Sequence, residues 1–314
     1  MSAALALSAC AGLDTRLPPI DLPQLSAERD YQQKLAFAEM DALQSRLMRV
    51  ADRVRVANAD LCPKSRPGIG LKTHTLSNYP KTLREAAARE LGATDTPTVL
   101  TVTEGSPAER AGIRQGDTVL VEGRAVKHSS DAFADALRTG ALTLRDADGR
   151  IREVGVVPRA ECAYDVRLRM SSDINAFATG RSMTVTSGML KFTESDDELA
   201  FILGHELAHN TMGHVRKIVT NYILSLGGTR YARPFELEAD YVGLYYLARA
   251  GYGMEGVEDV WRRLALVSPR STARAKTHPT SSERFLRIAA AREEIADKEA
   301  EGTPLIPNFV AGDS

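Results

Sequence analysis

Hydrophobic and polar positions repeat with two different periods along the chain, and the change of period divides it. From Ser26 to about Asn58, apolar residues recur at three- and four-residue spacing with no Gly or Pro, which predicts one long amphipathic helix packed on the C-terminal part of the chain. Leu61, Cys62 and Pro63 end it, and a loop with Gly68 and Gly70 opens a stretch of shorter period. There Thr98 to Val102 (TVLTV) reads as a strand and Asp131 to Leu137 as a short helix. Asp148 and Gly149 close a hairpin between LTLRD and RIREVGVV. After Cys162 the strand-like alternation of MTVTSGML (Met183 to Leu190) gives way to helical spacing. Ser195 and Glu198 form an S-x-x-E start signal for one helix. A second helix, FELEADYVGLYYLARAGYG, follows a loop closed by Arg233 and Pro234, a third surrounds Trp261, and Ser281 to Arg292 forms the last. The apolar run from Ile218 to Leu226, broken by Thr220, Asn221 and Ser225, is far short of the roughly 20 residues that span a bilayer, and reads as a loop capping a cleft. The pattern as a whole is α+β: a mainly helical C-terminal domain with a small sheet, a β-rich domain before it, and a long N-terminal helix. The expected boundaries are 1–25, 26–62, 66–160 and 162–314.

Chemistry concentrates in Ile202 to His214, ILGHELAHNTMGH. His205 and His209 stand one helical turn apart on one face, the spacing of two metal ligands. Glu206, about 100° further round the axis, is placed to take a proton from water at such a metal. This is an HExxH pattern in a helix interior. On the next helix Glu236 is the natural third ligand, with Asp240 one turn on; otherwise the two acids form a solvated helix face. Two histidines and a glutamate with one open position make a catalytic rather than a structural zinc arrangement, one Zn2+ per chain.

HELAHNTMGH followed by ELEAD resembles the HtpX and CAAX-prenyl-protease family of zinc metallopeptidases, most closely its soluble, periplasmic BepA-type branch, over about Cys162 to Arg292. The resemblance implies a gluzincin-like zincin fold in which Glu236 is the third ligand and Asp240 braces a ligand histidine. It also implies that His278, within Thr277-His278-Pro279, lies near the metal. There His278 either donates to the oxyanion or blocks the fourth position, with a tyrosine of the Glu236 helix as the other candidate donor. Asn175 to Ala178 resembles the family's strand beside the active site, with Gly180 at its turn; such a strand holds substrate backbone by β-addition, although the same residues also suit a sheet interior. His74 and His128 read as surface or turn residues and His214 as a helix-face residue.

The sequence GSPAERAGIRQGD resembles PDZ domains attached to bacterial proteases. It implies a short helix from Pro107 to Ala111 capped by Gly112, a turn at Gly116 and Asp117, and a groove for an extended peptide end, with Leu91 and Gly92 the candidate carboxylate loop. A rigid spacer or lid is the other reading. The 314 residues carry a net charge of -1, which argues against nucleic acid as a partner. The run from Leu7 to Cys10 resembles a lipobox, with Cys10 the lipidated residue and a Pro-rich tether from Asp14 to Pro23; it lacks a basic leading region, so a chance match is the other reading. Setting Cys10 aside leaves Cys62 and Cys162, either one disulfide in an exported chain or two buried thiols. The function expected is a zinc metalloendopeptidase acting on unfolded or extended envelope proteins, in the periplasm and attached to the outer membrane by lipid alone. The alternative is a PDZ-bearing chaperone or scaffold with a masked zinc site.

Overall fold

The structure is a computed structural model that describes Pro18 and residues 20–224, 232–267 and 282–308. The first element, α1 (Leu22–Ala57), begins four residues before the apolar periodicity does, because Pro23 in its first turn lacks only an N–H that would have no helical partner there. Its first turns stand exposed. Further along, Leu43, Leu47, Val50, Ala51 and Val54 form a stripe buried in the main core, as the three- and four-residue spacing requires. Arg46 fixes the register of this contact: its guanidinium donates to the Leu190 and Ser195 carbonyls at 2.6 and 2.8 Å and to Asp196 at 3.0 Å.

A β-rich unit follows. Its ends are joined by β1 (Ser65–Gly68) pairing antiparallel with β8 (Arg159–Cys162), Ser65 opposite Cys162. Cys162, at the end of that pair, is disulfide-bonded to Cys62 with a Cα separation of 5.6 Å. Between them β2 (Leu71–His74), β3 (Thr98–Val102), β4 (Thr118–Val121), β6 (Ala141–Arg145) and β7 (Ile151–Gly155) lie in that order, with β5 (Arg124–Ala125) paired to β4. The helix α4 (Asp131–Thr139) closes the core with Phe133 and Ala136 against Val99, Val119, Leu142 and Leu144. The short α3 (Pro107–Arg110) starts where Ser106 accepts from the Glu109 N–H. A separate small cluster joins Phe37 of α1 to α2 (Arg84–Leu91). Leu91 and Gly92 therefore end a helix: Leu91 is buried in that cluster and Gly92 is its left-handed cap, so they do not form a groove loop. His74 also differs from the surface expectation. It is buried, with Nδ1 2.8 Å from the Tyr79 hydroxyl, whereas His128 is exposed.

The C-terminal part begins with β9 (Asp165–Arg169), β10 (Ala176–Ala178) and β11 (Ser182–Thr186) in the order β10-β11-β9, parallel between β11 and β9, so β10 is an edge. The helices α5 (Ser187–Phe192), α6 (Asp196–Thr211), α7 (His214–Leu224), α8 (Ala232–Arg249), α9 (Asp259–Val267) and α10 (Ser282–Glu301) follow. Two sequence readings change here. The residues expected to form a capping loop are helical through Leu224, and Arg233 and Pro234 lie in the first turn of α8 rather than in a loop before it, a position that suits proline. Among the described residues no helix is long and apolar enough to cross a membrane.

Candidate metal centre

The motif helix α6 is capped as its sequence indicates: Ser195 Oγ accepts from the Glu198 N–H at 3.1 Å. Glu198 reaches back one residue further than a standard box, accepting from the Glu194 N–H at 2.8 Å. α6 crosses α8 at two glycines. A Cβ on Gly204 would stand 2.6 Å from the Gly243 carbonyl oxygen, and one on Gly243 2.7 Å from the His205 nitrogen. This close approach brings Glu236 and Asp240, one turn apart on α8, against His205 and His209, one turn apart on α6.

The three candidate ligands converge. His205 Nε2 lies 3.0 Å from His209 Nε2 and 3.5 Å from Glu236 Oε2, and His209 Nε2 lies 3.3 Å from Glu236 Oε1. Tetrahedral ligands bonded to zinc at about 2.0–2.1 Å are about 3.3 Å apart, so these atoms suit the corners of one such ion. The far side of each ring agrees. His205 Nδ1 is 2.9 Å from Asp240 Oδ1 and His209 Nδ1 is 3.1 Å from His214 Nδ1, so both rings turn Nε2 towards Glu236. His205, His209 and Glu236, all buried, can hold a metal ion. Glu206 is buried beside them, and its charge is felt at both His209 and Arg284.

Electrostatics make the pocket a balanced cluster. Burial would raise the Asp240 carboxyl, yet the Arg284 guanidinium, donating through Nε at 2.5 Å and Nη2 at 2.6 Å, holds it below its ordinary value. Burial would lower His205, but hydrogen bonds with Asp240 and Glu236 outweigh it and raise its pKa to about 9. His209 moves down, burial being the main cause. A cation bound among the three donors requires His205 to give up that proton. Arg284 lies 4.8 Å from the Trp261 ring, which in turn sits 5.4 Å edge-on to His205.

Four contributors have no sequence signal of their own. Arg284, 44 residues from Asp240, is called for only by the physical need of two buried carboxylates for a cation. His214, read as a helix-face residue, is fully buried. A continuous helix would turn it about 140° away from His209, but the chain breaks at Gly213, φ +67°, and α7 starts afresh with His214 turned back. Its Nε2 donates to Glu238, which no motif marks, at 2.6 Å. Asn210 accepts from the Gly180 N–H at 2.6 Å and donates to the Ser182 carbonyl at 3.2 Å, tying the β10–β11 turn to α6. His278 and Cys10 lie outside the described residues.

The fold and site thus define a protein with a buried His-His-Glu centre between two crossed helices. The model for peptidase family M48 matches residues 150–228 and 218–293, the region that contains every residue of that centre. The chain is 24% identical over 192 residues to the mitochondrial metalloendopeptidase OMA1 of Schizosaccharomyces pombe, covering 50% of this chain and 57% of that protein. It is 27% identical over 152 residues to the metalloprotease LoiP of Escherichia coli, covering 39% and 60%. The chain thus spans less than two thirds of these relatives. Together these matches support the M48 metallopeptidase family and a metalloprotease. A crystal structure of the HtrA3 PDZ domain bound to a phage-derived ligand aligns with 31% of the chain at 23% identity and a TM-score of 0.24, a similarity too slight to assign the fold of the β-rich unit.

Proposed function

We propose that the protein is a zinc-dependent metalloendopeptidase of gluzincin type, close to the BepA-type branch, that cleaves extended segments of misfolded envelope proteins in the periplasm. The observation that carries this reading is the convergence of His205, His209 and Glu236 at 3.0–3.5 Å with Glu206 beside them. Zinc, when bound, supplies a Lewis acid that polarises the scissile carbonyl and makes water more acidic. Glu206 accepts the proton of the attacking water and passes it to the leaving amine. The edge of β10, tethered to α6 by Asn210, offers backbone groups to an extended substrate. Asp240, held by Arg284, keeps His205 turned to the metal.

The periplasm is proposed on the Cys62–Cys162 bridge, which needs an oxidising compartment. Attachment through Cys10 belongs to the same proposal and rests on the sequence alone. The β-rich unit is proposed to be PDZ-like and to receive a peptide end in the cleft of about 910 Å3 lined by Leu71 and Lys72 of β2, Leu137 of α4, Gln44 and Met48 of α1 and Val166 of β9. Burial of all four side chains of the centre favours a second reading, a chaperone or scaffold whose zinc site is masked. Casein degradation separates the two: the peptidase loses activity with phenanthroline and regains it on adding Zn2+, whereas a masked protein binds zinc and cleaves nothing.

A further inference from the structure

The two histidines are oriented by unlike devices. His205 Nδ1 meets a carboxylate directly, at Asp240, and that carboxylate is fully buried with Arg284. His209 Nδ1 meets another imidazole. Between His209 and the nearest carboxylate along this path stands His214, with Nδ1 3.1 Å from His209 Nδ1 and Nε2 2.6 Å from Glu238 Oε2. The Phe235 ring stacks on His214 at 4.8 Å and 28°, which fixes its plane.

With both rings neutral, as a metal-binding His209 requires, only one order of protons suits this chain of contacts. A carboxylate accepts, so His214 Nε2 carries the hydrogen given to Glu238. Its Nδ1 is then bare and accepts the hydrogen of His209 Nδ1. That leaves the lone pair of His209 on Nε2, facing His205 Nε2 and Glu236. We infer that Glu238 and His214 are positioning residues that act in series, fixing the tautomer and ring orientation of His209 for the metal. This rests on the zinc reading above and deepens it, because nothing in the HExxH pattern assigns His214 or Glu238 a part in the site. The arrangement also predicts an asymmetry. The brace on His205 is sealed, while that on His209 ends on a carboxylate whose side chain is 31% exposed, so the His209 side is the one that a change at the surface can loosen.

The test measures zinc affinity of the purified full chain by competition with a chromophoric chelator, together with the d–d absorption of the Co2+-loaded protein. His214→Phe, which keeps the stacking on Phe235 but cannot accept from His209, is expected to weaken zinc binding about 10- to 100-fold and to shift the Co2+ bands. Glu238→Gln, whose amide oxygen still accepts from His214, is expected to lose less than Glu238→Ala. If His214→Phe fails to fold, the graded pair at the partly exposed Glu238 carries the test. Zinc affinity and Co2+ bands that match the wild type, with only the melting temperature lowered, overturn the inference and leave the zinc reading standing. If instead the wild type binds no zinc, or His205→Ala binds it equally well, the zinc reading falls and the inference with it.

Discussion

The helical body and the β-rich unit bury polar groups on different terms. Around the crossing of α6 and α8, His205, Glu206, His209, Glu236, Asp240 and Arg284 are all nearly inaccessible and crowd one point. In the β-rich unit most buried polar side chains are hydroxyls, such as Thr98, Thr101, Thr103 and Ser106, and its ion pair between Asp117 and Arg152 reaches the surface. A buried charge is tolerated only when its partners are present, so the body is intolerant of single losses, while in the Asp117–Arg152 pair the buried aspartate also accepts from the Arg114 N–H and the arginine end meets water. The chemistry sits in the part that is energetically least redundant.

Cutting one ion pair in each region breaks or sharpens this contrast most strongly. Arg284→Met leaves the fully buried Asp240 carboxylate with His205 Nδ1 as its one remaining partner among the described residues and is expected to cost about 3–5 kcal/mol in urea unfolding. Arg152→Met should cost less, about 1–2 kcal/mol, because Arg152 is a third exposed and the buried Asp117 keeps the Arg114 N–H at 2.9 Å. Equal losses would remove the contrast. Next in size is the bridge at the neck of the β-rich unit. It closes a sequence separation of 100 residues, and Cys162→Ser is expected to lower stability by about 2–4 kcal/mol. If both cysteines of the unreduced, unfolded chain react with a thiol reagent, the bridge is absent.

Gly204→Ala tests the close approach itself. Alanine favours the helix by about 1 kcal/mol, but a Cβ 2.6 Å from a backbone oxygen forces α8 away, and overpacking of this kind costs about 1–3 kcal/mol. The expected outcome is net destabilisation with loss of zinc binding; full zinc affinity would show that the crossing does not set the ligand geometry. The last effect appears only in acid. Burial lowers His74 from 6.5 to about 4, so the unfolded chain takes up a proton that the folded one refuses. Stability contributed by neutral His74 is present above pH 6.5, falls as pH drops towards 4, and changes no further below that. His74→Leu should flatten that part of the melting-temperature profile; an unaltered slope places the acid sensitivity elsewhere.

The HExxH spacing, the Ser195 cap and the stripe of α1 are legible in the sequence because each is a local, periodic signal. The pair Glu236 and Asp240 is legible as one helical turn. What stayed hidden depends on tertiary placement. His214 reads as a helix-face residue as long as helical phase runs through Gly213, where the chain turns, and the burial of His74 depends on Tyr79 and the small cluster beside α1. Arg284 has no spacing relation to Asp240, Glu236 or Trp261. Gly204 and Gly243 look like minor helix weaknesses in sequence, and only the crossing gives them a reason.

The central claim is that Glu206 moves the proton at a zinc held by His205, His209 and Glu236. Glu206→Gln keeps the three ligands but presents an amide that cannot accept the proton of the attacking water. The measurement is zinc content alongside casein cleavage for wild type and Glu206→Gln. The account predicts equal zinc in both and proteolysis in the wild type alone; undiminished cleavage by Glu206→Gln would contradict it.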